Sequence, residues 1–175
     1  MSATTTRIDA DGVAIDVAFD ARSGAPVEVR YRLRNTGTTP LAVFDRGDRH
    51  AVLTGRQAIG DVGAPGTREE GGGDVTLSHI ARALPSPSPT LPPVPLASRV
   101  DAGAALEGRF RTSPMTLDAP KRLRWCVGVA AFDPASFSSP ERVGEVEVWQ
   151  ASFDLADRQR LVCTPWFDLA AGAFV

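Results

Sequence analysis

The sequence predicts an all-β protein folded as an antiparallel β-sandwich, and three observations carry this prediction. Residues 27–35 alternate apolar and polar side chains without a break, which is typical of a strand with one buried face. Further short apolar segments follow, separated by turn-forming residues, as in sandwich proteins. The chain of 175 residues is long enough for a core without metal or disulfide support. We expect residues 1–175 to form one domain.

The first half of the chain contains the clearest strand signals. Apolar side chains recur at every second position before residues 27–35, at Val13, Ile15, Val17 and Phe19. Residues 23–26 supply the turn between these two strands, and residues 35–40 form a loop after the second. Residues 41–45 and 50–54 are short apolar runs around the triplet Arg46-Gly47-Asp48, which is predicted to be a hairpin tip.

The middle of the chain interrupts the strand pattern with a long Gly/Pro-rich excursion at about 60–95. Residues 60–73 contain six glycines and are predicted to be a mobile loop. Residues 74–84 are ambiguous: their apolar spacing fits a short helix or irregular turn, which we favour, whereas Val-Thr-Leu at 75–77 favours a strand. Residues 85–95 hold six prolines and should be extended.

The last third of the chain returns to strand patterns separated by short turns. Asp133-Pro134 and Ser139-Pro140 bracket one turn, and residues 155–159 are predicted to connect a hairpin. The strands predicted from these patterns are 97–101, 105–112, 121–132, 143–153 and 160–168.

The segment VEVRYRLRNTGTTPLAVFD at residues 27–45 resembles a strand–turn–strand unit of bacterial immunoglobulin-like domains. Such units occur in the CARDB adhesion-type modules and in the BsuPI family of intracellular proteinase inhibitors. Residues 99–110 resemble a turn before a late strand of the same domains. The resemblance covers about a fifth of the chain and implies an immunoglobulin-like sandwich, but the fold hosts many unrelated functions.

Composition and charge exclude several classes of protein. A formal net charge of −2 argues against a nucleic-acid binder. The sequence lacks an apolar run long enough to cross a membrane, and residues 1–10 lack the pattern of a secretory signal. We therefore expect a cytoplasmic protein in which Cys126 and Cys163 are reduced, packed thiols, with a native disulfide between them as the alternative. No cofactor motif is present.

Candidate catalytic and metal-binding residues are few. His50 and His79 are the only histidines, and nothing in their spacing pairs either of them with Cys126, so both are expected on the surface or in loops. Asp45, Asp48 and His50 are possible metal ligands. The arginines between them would repel a cation, which favours ion pairing on a loop.

Two short motifs have a binding interpretation and a simpler structural one. Arg46-Gly47-Asp48 is a receptor-binding triplet at a predicted hairpin tip, or a tight turn at Gly47. Leu91-Pro92-Pro93-Val94-Pro95 resembles a polyproline ligand, or is a stiff connection between strands.

Arginines alternate along three predicted strands, so that the members of each set share one face of a sheet. These sets are Arg30, Arg32 and Arg34; Arg109 and Arg111; and Arg122 and Arg124. Neighbouring strands would combine such arginines into a cationic patch for an acidic surface or ligand. The alternative is charge matching with acidic residues across strands, and the balanced net charge favours it.

We predict a non-enzymatic module that binds another protein through a sheet face or edge, with a homodimer as a further possibility. The candidate contact residues are Arg30, Arg32, Arg34 and Trp149, the last because it shares a strand face with glutamates. One alternative is a proteinase-inhibitor-like module that presents residues 46–49 or the proline tract. Another is an enzyme with a site under the 60–95 loop.

Overall fold

A computed structural model describes residues 3–175, and strands predominate in them. The all-β prediction is confirmed. The strands are β1 (Thr4–Ala10), β2 (Val13–Asp20), β3 (Val27–Asn35), β4 (Leu41–Val43), β5 (Gly66–Gly71), β6 (Asp74–His79), β7 (Leu96–Val100), β8 (Ala105–Thr112), β9 (Arg122–Ala131), β10 (Phe137–Val143), β11 (Val146–Ala151), β12 (Arg160–Cys163), β13 (Phe167–Asp168) and β14 (Ala173–Phe174). The helices are α1 (Arg49–Leu53), α2 (Leu155–Arg158) and one 3-10 turn (Pro134–Ser136). Within residues 3–175 neither α-helix approaches the length that a bilayer span requires.

The strands form two sheets. The first sheet has the order β1-β2-β3-β8, and all of its neighbours are antiparallel. The second sheet follows the order β10-β11-β7-β4-β9-β13-β14, with β12 and β6 also paired to β9 and β5 paired to β6. In both sheets, strands from before the 60–95 excursion pair with strands after it, as β3 does with β8 and β4 with β9.

The main hydrophobic core lies between the two sheets. Alternation along β2 and β3 turns every second side chain inward, as the sequence predicts. The second sheet contributes Trp125, which is fully buried. The largest fully buried side chains are Trp125, Phe19, Phe167, Ile15, Leu33, Leu77 and Leu123 in this core, and Leu155 outside it.

A second, smaller core lies on the other face of the second sheet. Strand β4 is buried on both faces: Leu41 and Val43 enter the main core, and Ala42 enters the second one together with Phe44, which follows the strand. The 3-10 turn is followed by Phe137, which with Leu155 of α2 completes this second core.

The helix favoured for residues 74–84 is wrong, because residues 74–79 form strand β6. This strand pairs in parallel with β9, from Asp74 opposite Arg122 to His79 opposite Val127. Three consecutive side chains of β6 are buried, so both of its faces are covered, which suits β-branched residues. The loop predicted at 60–73 is partly a strand as well, since β5 pairs with β6 in a hairpin.

The hairpin predicted around residues 46–48 is also wrong, because residues 49–53 form helix α1 and not a strand. The Asp48 side chain accepts a hydrogen bond of 2.8 Å from the Ala51 backbone N–H. A carboxylate in this N-cap position satisfies one of the free N–H groups at a helix start. The capping aspartate therefore outweighs the strand preference of the short apolar run.

The strands of the last third differ from the prediction in their bounds. The predicted strand 143–153 is divided at Gly144, whose φ of +60° allows a tight turn between β10 and β11. Residues 137–143, predicted to belong partly to a turn, form β10. The predicted strand 160–168 is two short strands, β12 and β13, which pair with different parts of β9.

The expectation of reduced thiols is wrong, because Cys126 and Cys163 form a disulfide. The two residues lie directly opposite each other in the β9–β12 ladder, with their Cα atoms 4.0 Å apart. The reduced state was inferred from the expected compartment alone, whereas cross-strand register places the two sulfur atoms together. Cys126 is therefore not a free nucleophile for the Cys–His pair considered above.

Candidate functional site

The exposed face of the first sheet is the candidate site. Register across the four strands arranges its side chains in rows that run perpendicular to the strands. One row, here called the mixed row, consists of Arg7, Asp16, Arg32 and Glu107. The next, here called the arginine row, consists of Thr5, Ala18, Arg30 and Arg109.

The mixed row alternates in sign and forms ion pairs. Arg32 Nη1 lies 2.8 Å from Glu107 Oε1, and Arg7 Nη1 lies 3.7 Å from Asp16 Oδ1. All four side chains are mostly exposed, so each pair contributes only a few tenths of a kcal/mol, up to about 1. For Arg32, the charge-matching interpretation of the sequence is confirmed.

The arginine row contains no acidic residue. Arg30 and Arg109 lie directly opposite each other on β3 and β8. Arg30 has one long contact, 3.7 Å from its Nε to Glu28 Oε1 along its own strand. Among residues 3–175, no carboxylate oxygen lies within 4.0 Å of the Arg109 guanidinium. Like charges directly opposite each other destabilise a sheet, so charge matching does not explain this pair.

A broad, shallow cavity of about 720 Å³ lies over the two rows. Ala18 lies between Thr5 and Arg30. Its side chain is only a methyl group, so the surface of the sheet is depressed at this position. Gly108 also lines the cavity; a side chain at this position would collide with the inward-facing Tyr31 ring. The result is a depression with an apolar floor and arginines at its sides.

Arg34 and Trp149 lie outside this cavity. Arg34 is exposed at the end of the same face, between Ala14 and Ala105. Trp149 belongs to β11 in the second sheet, and its Nε1–H donates to Glu147 Oε1 at 2.6 Å. The four candidate contact residues therefore do not form one surface: Arg30 and Arg32 lie together, Arg34 is beside them, and Trp149 is elsewhere.

Trp149 packs partly into the second core and is half-buried. Its ring meets that of Phe132 edge-on, with the centroids 5.0 Å apart, and the Arg99 guanidinium lies 4.9 Å from the centre of the Phe132 ring. This packing gives Trp149 a structural role.

The third arginine set, Arg122 and Arg124, is matched by acidic residues, as the balanced net charge of the sequence favours. Arg122 binds Asp74 across the β6–β9 ladder through two hydrogen bonds, and these hydrogen bonds lower the pKa of Asp74 and raise that of Arg122. Arg124 Nη2 lies 3.6 Å from Glu70 and its guanidinium stacks over the Trp166 ring at 4.6 Å. These cations are already engaged within the fold.

A buried polar network lies between the sheets, and the sequence patterns did not predict it. Asp45 is fully buried and accepts hydrogen bonds from Tyr31 Oη at 2.6 Å and from Ser98 Oγ at 2.9 Å. Arg46 is buried beside it, with Nε 3.3 Å from Asp45 Oδ1. The guanidinium also donates to the backbone carbonyls of Gly60 and Glu107. The sequence offers one indication of this network: Tyr31 is predicted to face inward in β3, and a buried hydroxyl needs a hydrogen-bond partner.

Because Arg46 is buried, the Arg46-Gly47-Asp48 triplet is not displayed to a receptor.

The proposed metal ligands Asp45, Asp48 and His50 are each engaged in other contacts. Asp45 binds Tyr31 and Ser98, and Asp48 caps α1. His50 Nδ1 lies 2.7 Å from the Arg56 guanidinium. Within residues 3–175 no group of three His, Cys, Asp or Glu side chains is arranged to hold a metal ion.

His79 is buried, contrary to the expectation that it lies on the surface. Its Nδ1 accepts a hydrogen bond of 2.9 Å from Trp125 Nε1, and its Nε2 lies 2.7 Å from the Gly63 carbonyl oxygen. This arrangement requires the neutral ring with the proton on Nε2. Burial lowers the pKa of His79. Both nitrogens are occupied, which gives the ring a structural role.

Comparison of the chain with protein-family models, with curated proteins and with solved structures finds no match in any of the three. Its function must therefore be inferred from its geometry.

Proposed function

We propose that this chain is a non-catalytic module that binds an acidic segment of another protein at the arginine row. The supporting observation is the direct opposition of Arg30 and Arg109 on an exposed face. Two cations at directly opposed positions repel each other across the strands, whereas carboxylates bound between them would pair with both. Arginine forks bind carboxylates in a bidentate manner, which suits this role.

The mixed row next to the arginine row supports the same proposal. Arg32 and Arg7 are occupied by Glu107 and Asp16, so Arg30 and Arg109 are the two arginines of the cavity that the mixed row leaves without an acidic partner. A long acidic surface would be repelled by the acidic members of the mixed row. The favoured partner is therefore a short segment with one or two carboxylates and an apolar residue over Ala18.

We infer that the sandwich is a variant of the immunoglobulin-like fold. Strands β3 and β8 pair in one sheet, and β4, β9 and β12 pair in the other, as strands B–E and C–F–G do in immunoglobulin domains. The disulfide departs from antibody domains, since it joins neighbours within one sheet instead of linking the two sheets.

A cytoplasmic location remains our prediction from the sequence, and the disulfide argues against it. Structural disulfides persist mainly in oxidising compartments. Free thiols are alkylated when the protein's own cells are lysed, and a mass-spectrometric count of the alkyl groups on the isolated protein decides this point. A protein without free thiols would favour an oxidising compartment, and two free thiols would favour the cytoplasm.

The binding proposal is tested by affinity capture from lysate of the source organism with three baits. These are the parent protein, Arg30→Glu/Arg109→Glu, and Arg142→Glu as a control. Arg142 is exposed on β10 in the other sheet. We expect a partner that is retained by the parent and the control, lost by the double variant, and released by salt. Equal retention by all three baits would overturn the proposal.

A further inference from the structure

A second cavity, here called the proline cleft, lies beneath the 60–95 excursion. It has a volume of about 460 Å³. It opens between helix α1, the chain after β6 and the end of the proline tract. Its apolar walls are formed by Phe44, Ala51, Ile80, Pro85, Pro93 and Pro95.

The walls of the proline cleft are tied to the sandwich by backbone hydrogen bonds. The Arg49 N–H donates to the Val94 carbonyl at 2.9 Å, and the Leu96 N–H donates to the Gly47 carbonyl at 3.0 Å. Asp48 and Pro95 form a bridge between these two bonds. Since prolines are conformationally stiff, these ties fix the position of the proline wall relative to α1.

Two arginines and one aspartate line the proline cleft. Arg82 lies over Gly66, where a side chain would collide with its guanidinium, and Ser78 Oγ lies beside the same point. Arg56 contacts His50 and Thr54. Among residues 3–175, no carboxylate oxygen lies within 4.0 Å of either guanidinium.

The charges of the proline cleft sum to one net positive charge. Arg56 and Arg82 contribute two cations, and Asp48 contributes one anion, which is held at the helix start by the Ala51 N–H. His79 lines the cleft as a neutral ring, because both of its nitrogens are already hydrogen-bonded. Charge complementarity thus favours a singly charged anion over a dianion such as phosphate.

We propose that the proline cleft binds a small monocarboxylate with an apolar body. The carboxylate would sit between the Arg82 guanidinium and the Ser78 hydroxyl, as a charge-assisted pair. The apolar body would lie against Phe44, Ile80 and the prolines. A mostly apolar cavity with a few polar groups is typical of small-molecule sites.

Trp125 supplies the signal for a test, because its indole N–H is hydrogen-bonded to His79 at the wall of the cleft. The chain has three tryptophans, so its indole N–H NMR signals include two references, from Trp149 and Trp166. The probe is phenylacetate, and the neutral control of the same shape is phenylacetamide. We expect phenylacetate to shift the Trp125 signal saturably and to bind about tenfold or more tightly than the amide.

Two variants locate the site. Arg82→Gln is expected to weaken phenylacetate binding by about tenfold or more, and Arg142→Gln, on the distant β10, to leave it unchanged. Unshifted Trp149 and Trp166 signals report that each variant is folded. The proposal is overturned if phenylacetate leaves Trp125 unshifted, if the amide binds equally well, or if Arg82→Gln has no effect. Arg30→Glu/Arg109→Glu should retain phenylacetate binding, which separates this site from the arginine row.

Discussion

At the scale of single residues, the buried network of Asp45 is the feature on which the fold depends most. Asp45 ends a short apolar run, yet it lies fully buried with Tyr31, Ser98 and Arg46 as partners. Burial and the neighbouring Asp45 carboxylate raise the pKa of Tyr31 well above its usual value. The phenol therefore stays protonated and donates to the carboxylate. A buried charge is tolerated only when each of its oxygens is satisfied in this way.

Tyr31→Phe should destabilise the fold by about 1–3 kcal/mol, because it leaves a buried carboxylate oxygen without its donor. Urea unfolding at neutral pH measures this loss. Glu145→Ala serves as the control, since this exposed residue in the turn between β10 and β11 belongs to none of the ion pairs described and should change stability by less than about 0.5 kcal/mol. Equal effects of the two substitutions would contradict the role assigned to Asp45.

His79 should make the stability depend on pH in a defined direction. Burial lowers its pKa in the folded state from the ordinary value of 6.5, so the unfolded chain takes up a proton more readily. Stability attributed to this residue is full above pH 6.5 and falls as the pH drops below it, by at most about 1.4 kcal/mol per pH unit. Glu70, Asp74 and Asp154 have lowered pKa values in the folded state, so their contributions are lost in a separate, more acidic window.

The measurement compares parent and His79→Gln by urea unfolding between about pH 5 and 7, where a histidine of ordinary pKa titrates. We expect the parent to lose stability toward pH 5 and the variant to lose much less. A parallel pH dependence of the two proteins would show that His79 is protonated equally in the folded and unfolded chains.

At the scale of elements, strands with alternating apolar and polar residues could be predicted from the sequence, as could the apolar run of β4. The mostly polar strand β1 and the strand β6 could not. β3 and β8 have the predicted bounds, because alternation reports directly which side chains point inward. β6 has three consecutive buried residues and so lacks that period. α1 depends on one cap at Asp48, and the disulfide depends on register between strands that are distant in sequence.

For the candidate site, the same alternation predicts that Arg30 and Arg32 lie on one face of β3. The opposition of Arg30 and Arg109 did not, because it depends on β8 pairing with β3 in a particular register across the 60–95 excursion. Single-strand patterns place a side chain on a face but do not choose its neighbour on the next strand.

The disulfide between β9 and β12 should stabilise the protein by about 2–4 kcal/mol, because it closes a loop spanning a sequence separation of 37. Dithiothreitol is expected to lower the unfolding free energy of the parent by this amount. The Cys126→Ala/Cys163→Ala variant should be less stable from the start and insensitive to the reductant. A parent that is also insensitive to dithiothreitol would contradict the disulfide.

At the scale of the whole molecule, the two outer faces of the sandwich differ. The second sheet is covered in part by a second core, and its arginines Arg122 and Arg124 are paired and stacked. The first sheet leaves its outer face open, with Arg30 and Arg109 in direct opposition. A repulsion between side chains that lowers the stability of the fold is often found at binding surfaces, because residues selected for binding are not optimised for stability.

Arg109→Glu should therefore raise stability while it reduces partner capture. The new carboxylate would face Arg30 across the strands and replace repulsion by attraction, a gain of about 0.2–1 kcal/mol. Urea unfolding at low salt measures the gain. Arg142→Glu is the opposite case, because it places a carboxylate directly across from Glu147 and should lower stability. If Arg109→Glu lowers the free energy of unfolding, Arg109 stabilises the folded protein and the binding role is contradicted.

The most direct test of the central claim is an NMR titration of the protein with the capped tripeptide Glu-Leu-Glu, observing the arginine Nε–H signals. The proposal predicts saturable shifts of the Arg30 and Arg109 signals that are suppressed by salt, while the Arg142 signal stays unchanged. Uniform small shifts of all exposed arginines, or none at Arg30 and Arg109, would contradict an acidic-segment site on the first sheet.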